Sequence, residues 1–376
     1  MNWANRYAGL LFFVGLIGVM FQQWRLWQAD KKRLAEIQPP KPQPRLGDWP
    51  RLPQVSALVA AWNEADHIQA HIESFRALHY PNKQLVLVVG GSDGTFELAS
   101  QLAGPDVLVM EQKPEEGKQA ALRRGLVCIN GEIIYLTDAD CRLDDESFEQ
   151  VIYPISAGLE RAVSGRFAPL VEQRCRPFVQ MQWCIDNYGR SRAGSYIQGL
   201  IGRNAAVKRD LLAETGDFSR SAKIGTDYLL ARQILAVGKQ IMYCHNSVVE
   251  TEFHSEFGGY QRQQTRWLRN ILLHGKDFGV QDQVLGVFCQ MISGFIFIIL
   301  TGLSLLFNEL LLVSWALLIV FAWLSRVRYL WFGVHSLSIQ IDRRTYMLSL
   351  YYFLVDQCVL VSALFSWFDG RHRLIW

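Results

Sequence analysis

Apolar residues are distributed unevenly along this chain. Four long apolar runs stand near its two ends, at residues 8–21 (AGLLFFVGLIGVMF), 284–307, 310–325 and 346–367. Each falls in the length range that can cross a bilayer, the first only when its flanking aromatic residues are counted. The intervening stretch, residues 50–280, carries no such run. The pattern therefore predicts a globular domain held between membrane segments.

The first apolar run is predicted to be a retained anchor and not a cleaved signal peptide. A single Arg6 precedes it, and Gln-Gln-Trp-Arg follows it where a cleavage site would need small residues. Six basic residues then lie within reach of the positive-inside rule: Arg25, Lys31, Lys32, Arg33, Lys41 and Arg45. We therefore expect an integral membrane protein whose globular domain faces the cytoplasm. Three further spans would place Arg371 and Arg373 outside, against the same rule, which leaves open an interfacial or re-entrant segment near the carboxyl terminus.

Strand and helix patterns alternate at the start of the globular region. Short apolar strands are predicted at 55–60, 85–89, 107–110 and 133–136, and helical patterns that end near 79, 102 and 128 separate them. This alternation predicts an α/β fold, a doubly wound and mostly parallel sheet with helices on both faces. The predicted boundaries are 1–24 for the anchor, 25–52 for a basic proline-rich linker, 53–280 for the cytoplasmic domain and 281–376 for a membrane region with about three helices.

Two carboxylates stand where the fourth predicted strand ends. Asp138 and Asp140 follow Ile133–Leu136 and flank one small residue. In an open α/β sheet ligands bind outside the carboxyl ends of the strands, and paired carboxylates can hold a divalent cation. The alternative is a polar turn before the helix that begins near Asp144.

Charge and cysteine content narrow the class of function. The net charge is +3, mostly near the membrane, and no basic helix or aromatic RNA-binding pattern accompanies it, so no nucleic-acid partner is expected. The seven cysteines show no Cys-x-x-Cys spacing, which argues against a zinc site or a disulfide framework. Cys141, beside the acidic pair, is interpreted as a small packing residue.

A series of motifs resembles the inverting family 2 glycosyltransferases with a GT-A fold. In chain order they are Ala60-Ala61-Trp62-Asn63-Glu64, Gly91-Ser92-Asp93-Gly94-Thr95, Gly117-Lys118, Thr137-Asp138-Ala139-Asp140, Gly225-Thr226-Asp227 and Gln263-Gln264-Thr265-Arg266-Trp267. The likeness covers residues 53–270. The membrane layout resembles the membrane-integrated branch, which includes cellulose, chitin and hyaluronan synthases and ceramide glucosyltransferase-like enzymes.

The resemblance implies a nucleotide-sugar donor and assigns its contacts. It implies that Asp138 and Asp140 hold Mg²⁺ or Mn²⁺ against the diphosphate, and it gives the nucleoside to Asn63, Glu64 and Asp93. Lys118 would reach a phosphate or the base, or is simply an exposed lysine at a helix start. The second loop departs from many relatives, because Val88-Val89-Gly90-Gly91 lacks the acidic residue that precedes their glycines.

The resemblance also implies the catalytic base and the carboxyl-terminal motif. Asp227 matches the last residue of a Thr-Glu-Asp-like motif, although the middle glutamate is missing, and it could instead cap the helix that follows. Gln263, Arg266 and Trp267 share one face of a predicted helix, where Arg266 could pair with the diphosphate and Trp267 could stack on a sugar. An amphipathic helix at the membrane surface is the alternative. His254 is interpreted as structural.

The predicted reaction is the transfer of a single hexose from UDP-glucose or another UDP-hexose to a membrane lipid at the cytoplasmic face. A synthase that passes a polymer through the bilayer needs polar membrane helices, and these segments offer few polar residues beyond Asp356, itself a candidate functional residue. A processive polysaccharide synthase and a catalytically silent scaffold that binds nucleotide sugar remain the alternatives. The sequence does not indicate an oligomeric state.

Overall fold

The computed structural model describes residues 3–37, 43–220, 224–306 and 309–368. A long helix comes first, α1 (Trp3–Glu36). The alternating region contains β1 (Val55–Trp62), α2 (Ala65–Ala77), β2 (Lys83–Gly90), α3 (Thr95–Gln101), β3 (Val107–Glu111), α4 (Gly117–Gly125) and β4 (Ile133–Leu136). These elements confirm the predicted alternation, with boundaries that differ by a few residues.

The second half of the domain is less regular. It contains β5 (Cys141–Arg142), α5 (Asp145–Ser156), β6 (Ala162–Pro169), α6 (Pro177–Arg190), β7 (Tyr196–Ile197), β8 (Ala205–Lys208), α7 (Arg209–Glu214), α8 (Thr226–Ala236), β9 (Ile241–Thr251) and α9 (Phe257–Asp277). The carboxyl-terminal helices are α10 (Gln281–Leu306), α11 (Glu309–Leu337), α12 (Arg343–Met347) and α13 (Ser349–Phe368).

One mixed sheet organises the domain, in the order β3-β2-β1-β4-β8-β6-β9-β5, with β7 paired to β9. The strands from β3 to β4 are parallel, as predicted, whereas β8 runs antiparallel to both β4 and β6. Every residue of β4 is buried, because helices cover both faces of the sheet. The loops that follow β1, β2 and β4 carry predicted site residues, and because these strands are parallel, the loops lie at the same carboxyl edge of the sheet, where a ligand can approach.

The two faces of the sheet have separate cores. Along β1, Val55, Ala57 and Val59 face the core under α2 and α5, while Leu58 and Ala60 face the core under α4 and α8. This period of two follows from strand geometry and explains why the strand is apolar at nearly every position. Helices on both faces confirm the doubly wound α/β class.

Four of the described helices are long and apolar enough to cross a membrane: residues 7–36, 281–304, 309–337 and 349–368. The first of these helices, α1, corrects the predicted boundary between anchor and linker, because it continues to Glu36 and does not end near residue 24. The extension holds Asp30 in contact with α6 and α11, so tertiary contacts stabilise it. The basic tail 371–373, on which the question of orientation rested, lies outside the described residues.

Candidate functional site

The acidic pair lies just beyond β4, and two basic side chains reach it. Lys118 Nζ, from the start of α4, is 2.5 Å from Asp138 Oδ1. Arg203, from the loop before β8, lies with Nε 3.5 Å from Asp138 Oδ2 and Nη2 4.0 Å from Asp140 Oδ2. Burial alone would raise the pKa of Asp138, but Lys118 and Arg203 outweigh it and lower that pKa to about 2. Asp138 therefore stays ionised.

The acidic surroundings fit a divalent cation by their chemistry. Burial and the nearby carboxylates of Asp140 and Asp138 raise the pKa of Glu64 to about 7, despite the opposing charge of His67. Carboxylate oxygens are the ligands that Mg²⁺ and Mn²⁺ prefer. Among the described residues, no group of three or more His, Cys, Asp or Glu side chains is arranged to hold a metal. Asp138 and Asp140 remain the predicted metal ligands, and Arg203 lies beside both.

The loops after β1 and β2 are tied to each other by the side chains that the sequence assigned to the nucleoside. Asn63, with φ of 58°, accepts a hydrogen bond at Oδ1 from the Ser92 amide at 2.8 Å. Asp93 accepts from the Ala65 amide at 3.0 Å and from the Thr95 amide and hydroxyl at 3.1 and 2.5 Å. Burial tends to raise the pKa of Asp93, but these hydrogen bonds together lower it. A nucleoside contact by Asn63, Glu64 or Asp93 stays a prediction.

Asp227 lies in the first turn of α8 and is not its cap. Gly225 is the cap residue, with φ of 74°, and Asp227 Oδ1 accepts from the Tyr228 amide at 2.9 Å. The loop before β8 approaches closely, because a Cβ at Gly202 would lie 3.0 Å from Asp227 Cβ. A side chain at Gly202 would therefore crowd the carboxylate that the sequence names as the base.

One cavity of about 420 Å³ brings together five of the residues singled out in the sequence: Lys118, Asp138, Asp227, Arg266 and Trp267. Arg266 is exposed at its edge, on α9. Burial tends to lower the pKa of Lys118, but Asp138 and Asp227 raise it, so the lysine is charged. The residues that line the cavity do not include Asn63, Glu64, Asp93, Asp140 or the buried Gln263.

Sequence reasoning missed several residues that line the same cavity. Arg203 stands over the ring of Phe167 at 5.4 Å, and Arg190, paired with Asp186 at 2.7 Å, stands over the same ring at 4.8 Å. Tyr243 and Asn270 complete this set. Gly199 and Gly202 stand just before Arg203 in the sequence and are a local signal that could have pointed to this loop. Nothing in the local sequence indicated Arg190 or Asn270, which come from α6 and α9.

The helix that carries Arg266 is joined to two of the long apolar helices by a polar cluster. The Tyr260 hydroxyl of α9 donates to Asp356 Oδ1 of α13 at 2.8 Å, and Arg326 of α11 forms an ion pair with the same carboxylate. The sequence made Asp356 a candidate functional residue because an unpaired carboxylate within the membrane is costly. In the structure α9 and α11 each supply a partner, which the sequence did not indicate.

The comparisons with known proteins identify the family. The profile described as Glycosyltransferase like family 2 matches residues 53–270. Glycosyltransferase AglE of Haloferax volcanii is 26% identical over 226 residues, 57% of this chain and 72% of that protein. The probable glycosyltransferase YdaM of Bacillus subtilis is 25% identical over 238 residues, 58% of this chain and 55% of that protein.

A solved structure has the same fold over nearly the whole chain. Mannosyltransferase PcManGT from Pyrobaculum calidifontis superposes with a TM-score of 0.55 and 16% sequence identity, over 97% of this chain and 100% of that one. The family profile, for its part, covers more than half of the sequence. The chain therefore belongs to glycosyltransferase family 2, and its α/β domain has the GT-A fold.

Proposed function

We propose that this glycosyltransferase moves a single hexose from a UDP-hexose, such as UDP-glucose, with inversion to a membrane lipid at the cytoplasmic face. The observation that carries the proposal is the shared cavity of about 420 Å³, which Lys118, Arg266 and Asp227 all line. Two cationic side chains that can bind a diphosphate and a carboxylate that can accept a proton thus border one volume large enough for a hexose.

The donor half of the reaction uses the cationic residues. Arg266 presents a fork of N–H donors that matches phosphate oxygens, and Lys118 adds a point charge. Asp138 and Asp140 would hold Mg²⁺ or Mn²⁺, which when bound neutralises charge on the departing diphosphate. PcManGT, whose fold is similar, has been captured with GDP-Man and Mn²⁺. Trp267 offers an aromatic face to the sugar or the acceptor.

Asp227 acts as the general base. Its carboxylate takes the proton of the acceptor hydroxyl while that oxygen bonds to the anomeric carbon. The bond between the same carbon and the diphosphate oxygen breaks, and the nucleoside diphosphate leaves with the electron pair. Attack from the face opposite the leaving group inverts the anomeric centre. The Tyr228 amide, 2.9 Å from Oδ1, supports the orientation of the carboxylate.

Two observations favour a lipid over a growing polymer. The cavity lining includes the apolar side chains of Ile197, Ile224 and Ile271. In addition, four hydroxyls of the long apolar helices donate to carbonyls of their own helix, those of Ser293, Thr301, Ser304 and Ser314. A hydrated polymer would need free polar groups along its path. This pattern supports single transfer.

The test uses purified protein in lipid vesicles with radiolabelled UDP-hexoses, GDP-mannose as a second donor, and a membrane lipid extract as acceptor. Label in an organic-soluble, singly glycosylated lipid is expected with a UDP-hexose, and Asp227→Asn should abolish it. Label in an insoluble or high-mass polymer would falsify single transfer. Tight binding of UDP-hexose without any release of UDP would instead favour the scaffold.

A further inference from the structure

One side chain in the cavity has a carbonyl oxygen that lacks a donor. Asn270, on α9, lines the cavity and is only 6% exposed. Its Oδ1 is buried and accepts no hydrogen bond from any residue in the described part of the chain. A Cβ at Gly225 would lie equally far from the oxygen and the nitrogen of this amide, so a half-turn about the Cβ–Cγ bond exchanges the two ends and can present the oxygen to the cavity. Buried polar groups are normally paired, so a ligand in the cavity is expected to supply the missing donor.

The amide of Asn270 is held in place by packing against Gly225. A Cβ at Gly225 would lie 2.6 Å from Asn270 Cγ and 2.9 Å from both Oδ1 and Nδ2, so only glycine lets the amide rest against the backbone there. Gly225 also has φ of 74°, which favours glycine independently. The backbone that supports the amide leads directly into Thr226 and Asp227.

Asn270 stands between the two halves of the site. It follows Arg266 by one turn of α9, so both project from the same face of the helix, towards the cavity. Through Gly225 it also adjoins the segment that carries Asp227. In the proposed reaction the hexose is joined to the diphosphate near Arg266 and exposes its anomeric carbon to the hydroxyl that Asp227 deprotonates. The hexose therefore occupies the space that Asn270 borders.

We infer that Asn270 determines sugar specificity, its Oδ1 accepting a hydrogen bond from one hydroxyl of the transferred hexose. The inference rests on the proposed function and adds to it a hydroxyl that the donor must carry. A buried acceptor left unpaired disfavours any donor that lacks the hydroxyl or points it elsewhere. The enzyme should consequently distinguish epimers and deoxy analogues of its hexose at one ring position.

The experiment compares wild type with Asn270→Leu, which has similar volume and no acceptor. The leucine variant should lose about tenfold or more in kcat/KM for the UDP-hexose, while its Kd for UDP alone stays within about twofold. The two proteins should also be compared with 2-, 3-, 4- and 6-deoxy analogues of the donor. For the analogue that lacks the partner hydroxyl of Asn270, the difference in kcat/KM between wild type and the leucine variant should disappear. Thr265→Val is the matched control, because Thr265 Oγ1 is also buried on α9 without a partner in the described chain but does not line the cavity.

Asn270→Asp provides a second variant, since it keeps an acceptor oxygen at the same position and should retain the preference for the hydroxylated donor. An equal loss across the whole deoxy series, weaker binding of UDP itself, or a loss confined to the KM for the acceptor lipid would each overturn the inference.

Calorimetry separates this inference from the proposed function. If wild type never turns over a UDP-hexose, the proposed function fails. The inference is still tested by binding, because the hexose should strengthen wild-type binding relative to UDP and should do so less in Asn270→Leu. Equal gains in both proteins would overturn it.

Discussion

Replacing Asp30 tests how the long apolar helices α1 and α11 hold the glycosyltransferase domain. The carboxylate, in α1, is 1% exposed and forms an ion pair with Arg328 of α11, which is 7% exposed. It also contacts Arg33 Nη2 at 3.0 Å and accepts from the Tyr188 hydroxyl of α6 at 3.2 Å. Three helices therefore meet at one carboxylate, and α6 also carries Arg190 into the cavity.

The magnitude follows from the burial of this pair. Asp30→Leu leaves the Arg328 guanidinium buried without its countercharge, and removing one partner of a buried pair costs about 3–5 kcal/mol. Tyr188 loses an acceptor but keeps the hydrogen bond that Arg328 donates to its hydroxyl at 2.8 Å. Arg33, 23% exposed, can turn to water and adds little. The double variant Asp30→Leu/Arg328→Met replaces the pair by apolar side chains and should recover most of the lost stability.

The assay is thermal unfolding of purified protein in detergent, followed by tryptophan fluorescence. Asp30→Leu should lower the midpoint by several degrees, and the double variant should recover more than half of that loss. Lys32→Ala is the control, because its pair with Glu36 is 81% and 64% exposed and should contribute nothing measurable. The reasoning is refuted if Asp30→Leu unfolds at the wild-type midpoint, or if the double variant unfolds at no higher temperature than the single variant.

Three further predictions concern the site and its support. Asp227→Asn should reduce kcat by at least about 100-fold with donor affinity within a few-fold, since the amide cannot take a proton; loss of donor binding in calorimetry would reassign the residue. Asp140→Ala should lower turnover by about 100-fold or more, about 3 kcal/mol, and EDTA should do the same to wild type; full activity in EDTA would remove the metal. Asp356→Asn leaves Arg326 without a countercharge, so unfolding midpoint and turnover should fall together, with a smaller fall in Tyr260→Phe; an unchanged midpoint contradicts this role.

Local sequence determined most of the strands and helices and the position of the acidic pair. The runs 55–60, 85–89 and 133–136 could be recognised as strands because a strand covered on both faces is apolar at nearly every position, and this pattern is visible residue by residue. The long apolar helices were equally visible, since the length that can cross a bilayer is read from one stretch of chain. The acidic pair followed β4 directly, so its place at the sheet edge needed no tertiary information.

Tertiary structure decided what each polar group meets. Arg203 joins Asp138, and Asn270 rests on Gly225, only because β8 runs antiparallel beside β4 and α9 packs on α8. Asp30 and Asp356 are likewise each paired with an arginine of α11, and the sequence alone did not indicate either partner. The physical reason is the same in every case. Strand and helix formation depend on near neighbours, whereas the pairing of a buried charge or amide depends on side chains that only the packed fold brings within hydrogen-bonding distance.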